Sequence, residues 1–462
     1  MQRQIVLGGK PFSTYKIVGF LWIGGGPLLA AAAFTSPHAA RAVPAFAQQT
    51  GQPCKSCHVG GFGPELTPLG REFKLGGYTL RTHSSVPLAA MAVTSFTHSR
   101  KDQDPAPEHL SRNNNANLQE AAIFIAGGVG QHLGAFAEIT YAGIDRHFTW
   151  DNLDVRAVTP AHFFGTDETL GLSLNNNPTV QDPWNTLPAW GFPFTDTETT
   201  PTPDSAPLID GALAQNVLGL TGYSWIGHHL YLEGGAYSSP SKGTLKFLGS
   251  DPADPGNIHG VAPYGRAAYS TNLAGGTFEL GGSYLKASLF PGRDRSSGLT
   301  DHYTDWGIDS SWQKSIGKTD TLSMNVRYEH ELGDLRASCA LALLGDDTDP
   351  GCGRYRLSEL RAAVRYTLND RVGLVVSPFS ISGSHNANVF ASGRPDSNGL
   401  MGEIDYTFWP NGNSPFGPLA NARVGIQYTA YGKFNGRRHN FDGAGANASD
   451  NDVLRLFSWI AF

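Results

Sequence analysis

Apolar and polar residues alternate with a period of two again and again from about Val86 to Phe462, and this constrains the fold more than any other feature. In Leu133–Tyr141 the odd positions are apolar. Phe278, Leu280 and Tyr284 alternate with Thr277, Glu279 and Ser283. Leu322, Met324, Val326 and Tyr328 alternate with Ser323, Asn325 and Arg327. Leu360, Ala362, Val364 and Tyr366 alternate with Arg361, Ala363 and Arg365, and Ala422, Val424, Ile426 and Tyr428 with Arg423, Gly425 and Gln427. Successive side chains of a strand point to opposite faces, so each segment reads as a strand with one apolar and one polar face.

A soluble sandwich alternates too, and a soluble periplasmic protein with such a sandwich is one alternative. Three features favour a transmembrane barrel. Tyr, Phe and Trp stud the apolar face near segment ends, as an interfacial girdle requires. About sixteen such segments, an even number, are joined alternately by short and long connections. Short links are Gly127–Gly130, Gly227 and Asn369-Asp370; long ones are Asn177–Ala212 and Asn386–Asn398. Finally, Leu454, Leu456, Ile460 and Phe462 share a face at the chain end, which resembles the C-terminal assembly signal of bacterial outer-membrane barrels. The expected fold is all-β: an antiparallel transmembrane β-barrel of about sixteen strands over residues 82–462. Closure would satisfy every backbone donor, and lipid would cover the apolar face.

The first 42 residues read as an export signal. Arg3, Lys10 and Lys16 form a basic region without acids, Ile17–Phe34 is apolar apart from Gly24–Pro27, and Ala40-Arg41-Ala42 offers a cleavage site before Val43. An uncleaved anchor is the competing reading. Without Arg3, Lys10, Lys16 and Arg41 the formal charge goes from −6 to −10, which does not suggest nucleic acid as a partner.

Residues 43–81 form a separate unit, too small to bury a useful core alone. Leu66, Leu69 and Phe73 are spaced for one face of a short helix ended by Gly76-Gly77. Ahead of it stands Cys54-Lys55-Ser56-Cys57-His58, the Cys-x-x-Cys-His signature of haem attachment. Two thiols at this spacing form thioethers to the vinyl groups of one haem, and the next histidine becomes an axial iron ligand. A thiol redox pair would expect a βαβ context, which is absent. A zinc site would want further clustered Cys or His residues, and none follow closely. One motif implies one covalently bound haem c. For the second axial ligand His83, Met91 and Met401 are candidates, with His132 and His229 as further lumenal ones; an open position is the alternative. Met324 should face lipid.

Cys339 and Cys352 flank a loop with Asp346, Asp347 and Asp349, and in an exported protein they are candidates for a disulfide. The acids read as a solvated loop tip or a cation lure. The Pro- and aromatic-rich stretch Asn175–Pro193 either folds inward or caps the surface.

This arrangement resembles the fused monohaem cytochrome c–porins, which include outer-membrane Fe(II) oxidases. The resemblance is dense over Pro44–Tyr78: Pro44-Ala45-Phe46-Ala47-Gln48-Gln49-Thr50, the Cys54–His58 motif, Pro64, Leu66, Leu69-Gly70, Phe73-Lys74 and Gly77-Tyr78. Elsewhere it rests on architecture. Gln48 stands where the iron-oxidising members usually have Arg, and Gly60-Gly61 loosens the spacing between His58 and Phe62. The resemblance implies a haem unit that plugs the barrel lumen and an electron conduit across the outer membrane. An external donor such as Fe(II) would reduce the haem near the outer mouth, and a periplasmic c-type cytochrome would take the electron. The alternative is a porin-type transport channel with a structural or sensory haem unit.

Overall fold

Strand alternation dominates the computed structural model, which describes residues 45–82, 88–163, 165–253, 255–344, 353–387, 389–390, 392–417 and 420–462. The expected export signal, His83, Asp346, Asp347, Asp349 and Cys352 lie outside the described residues. The strands are β1 (Leu88–Ser99), β2 (Asn115–Val129), β3 (Leu133–Ala142), β4 (His147–Phe163), β5 (Thr166–Asn175), β6 (Leu218–Ile226), β7 (Leu230–Ser238), β8 (Asn257–Ile258), β9 (Ala262–Leu273), β10 (Gly276–Phe290), β11 (Asp301–Ile316), β12 (Asp320–Asp334), β13 (Arg354–Leu368), β14 (Val372–Gly383), β15 (Ser397–Thr407), β16 (Asn421–Lys433) and β17 (Val453–Ala461).

β8 is a two-residue rung on β10; the other sixteen strands form one antiparallel sheet. It closes because β1 pairs with β2 on one side and with β17 on the other, from Met91 opposite Ala461 to Ser99 opposite Val453. Among the described residues no long strand is left with an unpaired edge, which is what lets strands cross a bilayer. The expected sixteen-stranded barrel is therefore the observed one.

The outer face is apolar. Ile123, Ile139, Leu280, Ile308, Val326, Leu360, Val376, Ile404 and Ile426 all point outward and are exposed. Met324 is exposed among them, as expected. Aromatic residues form two belts on this face. Tyr269, Trp312, Tyr366 and Tyr406 lie toward the short turns, and Tyr284, Trp306, Tyr328 and Tyr428 toward the long loops. An apolar band between aromatic belts is the surface a lipid bilayer covers, and the protein is an outer-membrane barrel. The short turns, 130–132, 227–229, 274–275, 317–319 and 369–371, share one end with Phe462 and the start of β1. By the usual arrangement this is the periplasmic end and the long loops face outside. The first of these turns is shorter than expected, because Gly127 and Gly128 still pair with β3.

The inward face is polar through the middle of the barrel, where arginines and carboxylates pair. Arg266 binds Asp182, Glu279 and Asp309; Arg365 and Arg423 share Asp405. Toward the long loops it turns apolar. Leu285, Ala287 and Leu289 of β10 join Tyr264, Tyr303, Tyr355, Leu357 and Ile381 around Leu208, Ile209, Leu213 and Val217. Those four belong to the connection between β5 and β6, so this loop folds into the barrel. Cys339, in the helix Arg336–Leu344, is disulfide-bonded.

Candidate functional site

Residues 45–82 fill the periplasmic half of the lumen. Three short helices, α1 (Ala45–Thr50), α2 (Cys54–Cys57) and α3 (Pro68–Leu75), are joined by irregular chain. The unit has little core of its own and is fixed by the wall. Lys55 Nζ sits 2.9 Å from Asp370 in the β13–β14 turn. Asn421 donates to the Gly61 carbonyl at 2.8 Å, and Gln313 to the Leu66 carbonyl at 3.3 Å. The Tyr78 hydroxyl donates to Asp154 at 2.6 Å, and Gly128 N donates to Gln49 Oε1 at 2.8 Å. These contacts reach β2, β4, β11 and β16 as well as that turn, so the segment crosses the lumen. Its backbone runs hard against the wall: a Cβ on Gly134 would lie 2.1 Å from the Gly77 carbonyl, and one on Gly61 would lie 2.5 Å from Pro410.

α2 is a single turn, with Cys54 and Cys57 at its two ends, both free thiols and both half-buried. Burial pushes the Cys57 thiol up to about 11, with the Cys54 charge adding to it, and burial raises Cys54 as well. A reactive redox cysteine needs a depressed value, so this environment speaks against a thiol redox pair. His58 follows immediately. Burial pulls it down to about 4, the Gly63 carbonyl opposes this, and Arg423 adds to it. The ring is therefore neutral at neutral pH, the form in which imidazole binds a metal. Its Nδ1 is buried without a hydrogen-bond partner. Among the described residues no three Cys, His, Asp or Glu side chains are gathered closely enough to hold a bare metal ion.

α3 holds α2 in place. Thr67 caps α3, accepting from Gly70 N and donating to the Ser56 carbonyl. Pro68 occupies the first helical position. A Cβ on Gly70 would lie 2.3 Å from the Cys57 carbonyl, so glycine sets how closely the helices approach. The expected helix is thus real but starts later. Leu66 precedes it, bridging His58, and Leu69 is exposed while Phe73 and Leu75 are buried. Phe46 stacks on Tyr78 at 5.2 Å and meets Phe73 edge-on at 4.8 Å.

The β5–β6 loop, 176–217, lies over this unit. Lys74 donates to the Val180 carbonyl and to Asn185, each at 2.8 Å, and Asn185 donates to the Pro64 carbonyl. Thr195 accepts from Arg455, Thr186 donates to Asp309, and Thr97 donates to Thr199. Of the two readings of the Pro- and aromatic-rich stretch, the inward one holds.

The candidate second ligands separate. Met91 Sδ accepts from Trp459 Nε1 at 3.1 Å, and Trp459 meets Phe62 edge-on at 4.9 Å. Met401 also points inward, but packs with Phe192, Phe194, Ala363 and Val375. His132 and His229 are not on the lumen wall; they sit in periplasmic turns, bonded to the carbonyls of Val158 and Ser270. The Cys54–His58 turn lies at the short-turn end of the barrel, beside Asp370 and Pro410.

No protein-family model and no curated sequence matches the chain. Similar solved structures are outer-membrane barrels. The channel DcaP of Acinetobacter baumannii is 11% identical, with 81% of this chain and 96% of that one covered and a TM-score of 0.45. For an anion-selective porin from Comamonas acidovorans the identity is 11%, the coverage 81% and 98%, and the TM-score 0.43. For OmpT of Vibrio cholerae they are 12%, 83% and 98%, and 0.42.

Proposed function

We propose that this barrel carries one haem, bound covalently at Cys54 and Cys57 with His58 as an axial ligand, and passes electrons across the outer membrane. The observation that carries the reading is that the Cys54–His58 turn belongs to a segment anchored on opposite walls of a closed barrel. The residues fit the group. The thiols are free and one helical turn apart, the imidazole is neutral, and its Nδ1 still lacks a partner. Haem c would supply a one-electron centre whose potential is tuned by burial and ligation.

The chain's own part is positional. Thr67, Gly70 and Asn421 fix the attachment turn, and Phe62, Trp459 and Met91 line its flank. Met91 is the candidate second ligand that shares a cluster with Phe62, and it would have to leave Trp459 to serve. The β5–β6 loop and residues 45–82 fill the lumen in two layers, which favours charge transfer over solute flow. A periplasm-facing haem suits delivery to a periplasmic cytochrome. The external donor, Fe(II) or another, would act from the long-loop side.

The second reading is a porin-type channel in which the haem unit is structural or sensory. The charged mid-lumen wall favours it, since channels use paired arginines and acids at their constrictions. Two measurements on the purified protein separate the readings. A reduced-minus-oxidised spectrum with Fe(II) as donor should show a reduced c-type haem, absent in Cys54→Ala/Cys57→Ala. In liposomes, rapid solute flux with residues 45–82 in place, and no reduction by any external donor, would favour the channel.

A further inference from the structure

Arg71 of α3 is buried, and neither its Nε nor its Nη1 has a hydrogen-bond partner. Among the described residues it forms no ion pair. The acids whose fields reach it, Glu279, Glu65 and Asp182, lie nearer to other arginines, although Glu279 Oε2 and Glu65 Oε2 accept no hydrogen bond. Asp182 and Glu279 each lie 3.2 Å from Arg266, and Asp182 also accepts from the backbone of Trp184, Thr186 and Leu187. Glu65 faces Arg365 at 3.8 Å. A buried guanidinium without a partner is costly and calls for an anion.

Beside it is a cavity of about 130 Å³, ample for a small organic group. It opens at the periplasmic end between α3 and the β6–β7 and β9–β10 turns. Arg71, Trp184, Trp225, His228, His229 and Asn272 are among its lining residues. Two indole rings give it apolar walls, 5.8 Å apart edge to face. Glu72 at the rim is occupied by the Trp225 indole at 3.3 Å and by His228 at 3.6 Å. Arginine matches a carboxylate with two parallel N–H donors.

We propose that this cavity binds a carboxylate through Arg71. Two sources share that chemistry. One is a free organic acid from the periplasm. The other is a propionate of the chain's own haem, because Arg71 follows Gly70, the residue packed on the Cys57 carbonyl. Only the second source rests on the haem attachment proposed above.

Calorimetric titration of the purified full-length protein with benzoate, and resonance Raman of its propionate bending band, distinguish them. Benzoate binding to the wild type, weakened about tenfold or more in Arg71→Gln and only partly kept in Arg71→Lys, which restores the charge but not the two parallel donors, supports a free acid. No benzoate binding to the haem-loaded chain, with a propionate band shifted in Arg71→Gln only, supports the haem carboxylate. Titration of Cys54→Ser/Cys57→Ser keeps the test valid if no haem is attached. No benzoate binding to that variant or to the wild type, together with an unshifted band, overturns the proposal and leaves Arg71 to Glu65 and Glu279.

Discussion

Lys74 shows how single side chains bind the lumenal unit to the loop above it. Its ammonium is buried against Val180 and Asn185, and burial together with Arg156 brings it down to about 7. An unfolded lysine titrates near 10.4. Between those values the unfolded state holds the extra proton, so stability rises with pH across that window. Below about 7 the charge is carried in both states and the gain is gone. Hydrogen exchange of residues 45–82 should therefore slow as pH rises from about 7 toward 10, after correction for the intrinsic rate. Lys74→Met should flatten that slope; an unchanged slope would show that Lys74 is not the titrating group. Met91 gives a second residue-scale expectation. Met91→Ala should shift the haem spectrum if its sulfur ligates the iron, whereas Met401→Ala should leave it alone.

At the scale of elements, α3 is the clamp on the Cys54–Cys57 turn. Gly70→Ala would drive a methyl into the Cys57 carbonyl, a backbone atom that cannot swing away. The expected cost is about 1–3 kcal/mol, seen as faster proteolysis of residues 45–82 with the barrel intact. The start of this helix was readable in the sequence, since Thr67-Pro68 is a cap followed by proline at the first helical position. Spacing of Leu66, Leu69 and Phe73 pointed two residues too early because Leu66 serves the bridge to His58 instead. Strand faces were legible wherever lipid covers one side: Arg361, Arg365, Arg423 and Gln427 are inward as their alternation implies. At the outer end of β10 the phase inverts, with Leu285, Ala287 and Leu289 inward, and that flip is the signal for an apolar loop inside the barrel. The path of the β5–β6 loop was not legible. Its bonds to Arg455 and Asp309 join residues far apart in sequence, and nothing local encodes them.

Taken whole, the molecule is a barrel whose lumen is occupied from both ends. Deleting residues 45–81 should raise single-channel conductance in planar bilayers well above the wild type, and shortening the β5–β6 loop alone should raise it less, because the lower layer stays. Equal conductance in all three would mean that neither layer obstructs the pore. The proposed electron transfer requires covalent haem at one turn of that lower layer. Its most direct test is intact-mass measurement of the exported protein under denaturing conditions, beside Cys54→Ala/Cys57→Ala. The prediction is a single haem per wild-type chain and none in the variant. Haem-free wild type from cells able to mature c-type cytochromes, or haem retained by the variant, would contradict it.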